Sequence, residues 1–192
     1  MDKKSIIQIL IGILAAKCFG FLRDIVFASA FGASEYTDIY FQIFGLASLI
    51  FTGIGSALST LVIKNLNKPE NFGENNKKKY VAHFITKVSL MIIGITVLLY
   101  IFAGPIVRIL LPGLKDDVFA TALKIMYIML PSCLFVTVAY IMAGVLQNCN
   151  VFFVTSVMSL PYNAVIIGAL LTKNVSITTV SIVTTIGWFL HI

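Results

Sequence analysis

Apolar residues run in six long segments along the chain, and short polar stretches separate them. A helix needs about 20 mostly apolar residues to cross a bilayer core roughly 30 Å thick, and the first five segments reach that length. Strands of a membrane barrel would instead alternate apolar and polar positions, and these segments do not. We therefore predict an all-α, polytopic membrane helical bundle. It forms a single transmembrane domain over residues 1–192, with six transmembrane helices at about 5–31, 39–63, 81–102, 118–146, 151–172 and 176–192.

Prolines and small residues refine this pattern. Pro105, Pro112 and Gly113 predict a loop between the third and fourth segments. Pro131 and Pro161 predict kinks, and membrane helices tolerate kinks when the freed carbonyl groups find partners elsewhere. Small residues predict close helix packing in the first two segments, at Gly12, Ala16, Gly20, Gly45, Gly53, Gly55 and Ser56.

The composition excludes a soluble domain. Hydrophobic residues make up 59% of the chain, charged residues only 11%, and the mean hydropathy is +0.99. The cysteines and histidines have no spacing typical of a disulfide framework, a metal site or a catalytic centre. We therefore predict no enzyme activity, no metal and no cofactor. We also predict no nucleic-acid partner, because most basic residues flank membrane segments.

The distribution of lysine and arginine predicts the orientation in the membrane. With a cytoplasmic N-terminus, the inner side holds eight lysines: Lys3, Lys4, Lys64, Lys68, Lys77, Lys78, Lys79 and Lys87. The outer side holds only Arg108, Lys115 and Lys173, plus Arg23 if the first helix ends near it. This bias favours the N-terminus inside. The run of three lysines at 77–79 also predicts contact with anionic membrane lipids.

Four ionisable residues in and after the first segment are the candidate functional residues. A charge at the centre of a membrane helix costs about 2.5–3.5 kcal/mol on insertion scales, so it usually faces protein or water. Lys17 and Arg23 could hold a phosphate or diphosphate in a water-filled cavity, the lysine as a point charge and the arginine as a planar fork. Asp24 and Asp38 could compete for these cations in one state and release them in another, which would form a gate. The alternative is structural: Lys17 snorkels, or the four charges pair among themselves.

The stretch GFLRDIVFASAFGASEYTDIYF, residues 20–41, resembles the first-helix signature of the lipid II flippase family, also called the MurJ or MviN family. The positions that fit are Gly20, Phe21, Arg23, Asp24, Phe31, Gly32, Ala33, Thr37 and Asp38. Weaker matches follow at Pro112-Gly113, at Pro131, in GVLQNCNVF at residues 144–152, and at Asn163. The resemblance therefore covers essentially all 192 residues, but only part of the family's length.

The resemblance implies the first lobe of a two-lobed flippase of the MOP flippase superfamily. Such proteins have about fourteen helices with two six-helix lobes, and they carry undecaprenyl-diphosphate-linked sugar precursors across the bacterial cytoplasmic membrane by alternating access. It also implies that Lys17 and Arg23 belong to the cavity that binds the lipid-linked diphosphate sugar. The chain departs from the family at Phe51, where such flippases usually place another arginine, and this departure favours a related polysaccharide-precursor flippase or a decayed copy.

Several alternatives remain at this stage. The last segment is not followed by polar anchoring residues beyond His191, so we expect a truncated chain that lacks its C-terminal lobe and is inactive alone. A non-transporting remnant or a scaffold that binds lipid-linked intermediates is a second hypothesis. A drug or cation antiporter of the same superfamily is a third, disfavoured because a cation antiporter would need interior carboxylates rather than basic groups.

Overall fold

The computed structural model describes residues 3–68, 73–172 and 175–190, and these residues form helices and connections without any strand. The all-α prediction is confirmed. The helical segments are α1 (Lys3–Phe31), α2 (Glu35–Leu66), α3 (Glu74–Ile101), α4 (Ala103–Leu110), α5 (Asp116–Met129), α6 (Ser132–Asn148), α7 (Phe152–Val157), α8 (Ser159–Leu170) and α9 (Ile177–Phe189).

Five helices in the described part of the chain are long and apolar enough to cross a membrane. They are Ile6–Phe31, Glu35–Leu66, Glu74–Ile101, Asp116–Asn148 and Phe152–Leu170, so α5 with α6 and α7 with α8 each make one crossing. The sixth predicted helix is α9, which has 13 residues and would span about 20 Å at the usual rise per residue. The chain is a multi-pass membrane protein in which α9 is an apolar helix shorter than the five spans.

The predicted loop after the third helix is wrong over residues 103–110. This segment forms α4, with Ala103 and Val107 buried and Arg108 exposed. Pro105 lies in the first turn of α4, where its missing N–H group would have no intrahelical partner in any case. The positions of prolines alone therefore did not distinguish a loop from the start of a short amphipathic helix.

The core of the bundle is the extensive contact between α2 and α6. Gly144 lies so close to α2 that an added Cβ would overlap the Ser59 side chain, and a Cβ on Gly55 would lie 2.8 Å from Tyr140 Cβ. Gly45 and Gly53 have open space instead. The prediction of close packing therefore holds at Gly55, whereas a side chain would fit at Gly45 and Gly53.

Pro131 interrupts the fourth crossing, and two neighbouring helices satisfy the carbonyl groups around it. Because proline has no N–H group, it leaves the carbonyl oxygen of Tyr127 free for another donor. The Tyr100 hydroxyl of α3 donates to that oxygen at 2.7 Å. On the next residue, the Ile128 carbonyl oxygen accepts a hydrogen bond from Thr185 Oγ1 of α9 at 2.9 Å. The prediction for Pro131 is confirmed, and the interruption joins the crossing to α3 and α9.

Removing the Tyr100 hydroxyl should therefore destabilise the bundle. In Tyr100→Phe the Tyr127 carbonyl oxygen loses its partner inside the protein, and we expect a loss of about 1 kcal/mol, seen as a lower melting temperature in detergent. Tyr127→Phe is the matched control, because the two rings stack with centroids 5.5 Å apart and the substitution removes a hydroxyl from the other ring. Equal melting temperatures for the two variants would contradict the assigned role of the Tyr100 hydroxyl.

Helix α1 lies at the edge of the bundle and packs against α7 and α8. Gly12 is buried against α7, since an added Cβ there would overlap Ser156. Gly20 lies opposite Asn163 of α8, whose Nδ2 would be 3.9 Å from an added Cβ. This packing brings the middle of α1, with the candidate charged residues, beside the middle of the fifth crossing.

Candidate functional site

The side chain of Arg23, a residue of α1, lies against α2 and α8 and is largely enclosed, with 16% of it exposed. Its Nε and Nη2 donate to Asp24 Oδ1 at 3.0 and 2.8 Å, and its Nη1 donates to Asn163 Oδ1 at 3.2 Å. The guanidinium carbon also lies 5.5 Å from the ring centre of Phe44 and 5.8 Å from that of Tyr162. Ionic, polar and cation–π contacts therefore hold the charge in one place.

Asn163 orients the guanidinium from the fifth crossing. Its amide nitrogen donates to the Ser159 carbonyl oxygen at 2.9 Å, so its amide oxygen is turned toward Arg23. Asn163 is 4% exposed, and a buried amide is costly unless both of its ends are bonded. A polar residue at this depth in a membrane helix is expected to bond a neighbouring helix, but the sequence could not identify Arg23 as the partner, because the two residues are 140 positions apart.

Asp24 is the ionic partner of Arg23, yet half of its side chain, 51%, is exposed. Among the residues that the structure describes, these two form the one salt bridge. In this conformation Arg23 is therefore paired with a carboxylate, as the structural alternative predicts. Because half of its side chain is exposed, the Asp24 carboxylate can still rotate away from the guanidinium.

Lys17 is exposed and lines a hollow of about 360 Å³ between α1, the end of α6 and the α7–α8 region. Helix α1 contributes a mainly apolar wall, and the other helices contribute mainly polar groups. The lining residues are Ile9, Ile13, Ala16, Lys17, Gln147, Phe152, Thr155, Ser156 and Ser159. In the part of the chain that the structure covers, Lys17 has no carboxylate partner. Its charge therefore faces an open, partly polar space.

A second hollow of about 450 Å³ adjoins the first and is lined by many hydroxyl groups. Gln147, Thr155 and Ser159 line both hollows, so the two spaces share a wall. The remaining lining comes mainly from the second half of α2 and the end of α6, with Ser56, Ser59, Thr60, Ile63, Tyr140, Ala143, Gly144 and Met158. We call the two together the polar hollow. Its hydroxyl and amide groups can bind either water or the hydroxyl groups of a sugar.

Asp38 lies apart from the other candidate residues. It is exposed in the first turn of α2, where a carboxylate is favoured by the positive end of the helix dipole. Within the described residues it forms no salt bridge. The structure therefore places three of the four candidates near the contact of α1 with the fifth crossing, and places Asp38 at the start of α2.

Phe51 is buried in a different part of the molecule. It lines an apolar cavity of about 280 Å³ between α2, α3, α5 and α6, together with residues such as Ile95 and Met129. It is absent from the lining of the polar hollow. An arginine at this position would enter an apolar environment, so the residue at position 51 does not decide the charge of the hollow.

Sequence comparisons link the chain to one family of membrane proteins. The family model described as "Lipid II flippase MurJ" matches residues 27–192. The chain is 28% identical over 172 residues to a probable lipid II flippase MurJ of Buchnera aphidicola subsp. Schizaphis graminum, covering 85% of this chain and 33% of that protein. It is 31% identical over 170 residues to the one from subsp. Baizongia pistaciae, covering 83% and 32%. The chain therefore spans about a third of the length of these relatives.

Two solved structures have a similar fold. A structure titled "Lipid II flippase MurJ, inward closed conformation" superposes with a TM-score of 0.81 at 26% identity, over 96% of this chain and 40% of that one. A MOP superfamily transporter from Pyrococcus furiosus superposes with a TM-score of 0.69 at 12% identity, over 98% of this chain and 43% of that one. The second likeness concerns the fold alone.

Proposed function

The chain belongs to the lipid II flippase MurJ family, and on that premise we propose that it forms the first lobe of a transporter for lipid-linked diphosphate sugars. The lobe would move lipid II, or a related polysaccharide precursor, across the bacterial cytoplasmic membrane during cell wall synthesis. We also propose that the N-terminus is cytoplasmic, which is supported by the excess of lysine on that side. The chain spans about a third of its relatives' length, so the complete cavity would need a second lobe.

The observation that carries this proposal is that Lys17 lines the polar hollow and has no carboxylate partner among the residues that the structure describes. A diphosphate cannot enter hydrocarbon without compensating charge or hydrogen bonds, because transfer of an ion from water to an apolar medium costs far more than folding can supply. Lys17 offers a cation, and Gln147 and the hydroxyl groups of the hollow offer hydrogen bonds. The hydrocarbon tail would stay in the bilayer while the polar headgroup uses the hollow.

Arg23 would be the second contact for the diphosphate, reached by exchange. A phosphate oxygen and a carboxylate oxygen bind the same guanidinium edge, so Asp24 occupies the position that the substrate would take. Because Asp24 is half exposed, it can turn away when the substrate enters and return when it leaves. Asn163 would keep the guanidinium aimed at the same place throughout. We propose that Asp38 pairs with Lys17 or Arg23 only in another conformation of the protein.

Complementation tests the role of Lys17. We expect Lys17→Gln, in the complete reading frame that encodes these residues, to lower lipid export by about tenfold or more in a strain depleted of its own flippase, because one charge-assisted contact is worth roughly 1.5–3 kcal/mol. Lys87→Gln is the matched control, since Lys87 is exposed on α3 and lies outside the lining of the polar hollow. If Lys17→Gln supports growth as well as the control does, the diphosphate does not bind here.

Binding without transport is the second candidate function. Residues 1–192 cover only about a third of the length of their relatives. This favours binding without transport for these residues taken alone, because alternating access needs two lobes that move against each other. Expression of residues 1–192 beside the complete reading frame separates the two functions. Growth supported only by the complete frame would assign transport to the two-lobed protein, and growth supported by residues 1–192 alone would contradict the need for a second lobe.

A further inference from the structure

A groove of about 630 Å³ separates the beginning of α3 from the ends of α2 and α6, away from the polar hollow. Most of its wall is apolar, and its charged residues come from the first turns of α3. The lining residues are Leu66, Glu74, Lys77, Lys78, Val81, Ala82, Ile85, Met142, Val145, Asn148 and Cys149. We call this space the α3/α6 groove.

The polarity of α3 predicts that the α3/α6 groove crosses the boundary between the membrane and water. The first six residues of α3 are polar, with the sequence ENNKKK, and the helix becomes apolar from Tyr80 onward. The other walls end at the same level, since α2 ends at Leu66 and α6 ends at Asn148. A molecule in the groove would therefore have one end at the headgroup level of the bilayer and the other in hydrocarbon.

Charge and polarity in the groove are separated along its length. Lys77 and Lys78 lie at the polar end, and Val81, Ile85 and Val145 lie toward the membrane. Glu74 also lines the polar end, so the three charged lining residues carry a net charge of +1. The N-terminus of α3 adds to this positive potential, because Gly73, its N-cap, has no side chain to bond the first N–H groups.

A hydrogen bond joins α2 to α3 close to the α3/α6 groove. Asn65 Nδ2 of α2 donates to the Tyr80 hydroxyl of α3 at 2.9 Å, and the Tyr80 ring lies 6.0 Å from that of Phe84. This bond connects α2 and α3 within one turn of the two lysines. The walls of the groove come from three helices, α2, α3 and α6, two of which this bond joins.

We propose that the α3/α6 groove binds an anionic phospholipid from the leaflet on that side of the membrane. The phosphate would contact Lys77 and Lys78, and one acyl chain would lie against Val81, Ile85 and Val145. Lysine side chains near the membrane surface attract anionic headgroups. A free phosphate would use only the charged end, and a neutral lipid only the apolar end. An anionic phospholipid matches both, and the proposal is independent of the transported substrate.

Cys149 provides a direct reporter, because it is exposed and lines the groove. The experiment uses the complete protein in a neutral detergent, with Cys18→Ser to remove the other exposed thiol, while Cys133 is buried. The alkylation rate of Cys149 by a water-soluble maleimide is measured during titration with phosphatidylglycerol, phosphatidylcholine or inorganic phosphate. At saturation we expect phosphatidylglycerol to slow alkylation by about tenfold or more, and the other two to have little effect.

Two double variants distinguish the groove from general charge attraction. Lys77→Gln/Lys78→Gln removes two charges from the groove, and Lys64→Gln/Lys79→Gln removes two charges from the same side of the membrane but outside the lining. We expect the first pair to abolish protection and the second to retain it. A third variant, Ala82→Trp, keeps every charge and fills the apolar part, and it should also abolish protection.

Several results would overturn the proposal. Equal protection by phosphatidylcholine would mean that charge plays no part, and protection by inorganic phosphate alone would mean that no acyl chain is needed. Equal loss in the two lysine pairs would indicate diffuse attraction to the membrane surface. Undiminished protection in Ala82→Trp would contradict acyl-chain binding. Each variant's alkylation rate without lipid shows whether Cys149 remains accessible.

Discussion

Replacing Arg23 with alanine is expected to abolish lipid export by the complete protein. The substitution removes the enclosed cation that Asp24 and Asn163 hold in place, and it leaves a buried amide oxygen without its donor. Truncating one partner of an enclosed charged pair costs about 2–5 kcal/mol, so a transport rate that depends on this group should fall at least about thirtyfold. The measurement is growth of a flippase-depleted strain, together with the amount of protein in the membrane.

Arg108→Ala is the matched control for this variant. Arg108 also lies near an aromatic ring, with its guanidinium carbon 5.2 Å from the ring centre of Phe119, but it is exposed on α4 and outside the polar hollow. We expect Arg108→Ala to support growth. Arg23→Lys should fail as well, because a lysine cannot bond a carboxylate and an amide in a fixed planar arrangement. Full growth of Arg23→Ala would contradict the proposed role.

Asp24→Asn separates exchange from structural pairing at the same site. If Asp24 competes with the substrate, the asparagine variant should bind a lipid-linked diphosphate more tightly while the protein keeps its melting temperature. If the pair only stabilises the fold, the variant should have a lower melting temperature and show no gain in binding. Binding to the purified protein and thermal unfolding therefore answer two different questions.

The helices could be predicted from the sequence because membrane insertion acts on local composition. Twenty apolar residues in a row are sufficient to predict a crossing, whatever surrounds them. The kink at Pro131 could be predicted for the same reason, because the missing N–H group is a local fact. Its partners, Tyr100 and Thr185, could not be predicted, because they come from other helices.

Only the part of the candidate site that lies on α1 could be predicted from the sequence. The charges of α1 stand out against an apolar background, so Lys17, Arg23 and Asp24 are visible in the sequence. The enclosure of Arg23 depends on Asn163 and two aromatic rings from distant segments. Phe51 illustrates the opposite difficulty, since the resemblance marks it as a departure from the family and packing places it in an apolar cavity separate from the polar hollow.

We expect a larger side chain to be tolerated poorly at the contact between α2 and α6. A Cβ on Gly144 would overlap Ser59 Oγ and would lie 3.0 Å from Ser59 Cβ and 3.3 Å from Ser59 Cα. Rotating the hydroxyl group away relieves only the first overlap, so the helices themselves must separate. Gly144→Val should therefore cost about 3 kcal/mol or more, which exceeds what a marginal bundle can lose without aggregating.

Two further variants show whether the loss comes from this contact. Gly168→Val adds the same side chain to α8, where a Cβ meets open space, and it should leave the melting temperature and the elution profile nearly unchanged. Combining Gly144→Ala with Ser59→Gly moves the small residue from one helix to the other, and it should recover much of the stability that Gly144→Ala alone loses. A lack of recovery would mean that Ser59 is not the limiting neighbour. Because α2 and α6 also line the polar hollow, a variant that separates them should lower export even where the protein still reaches the membrane.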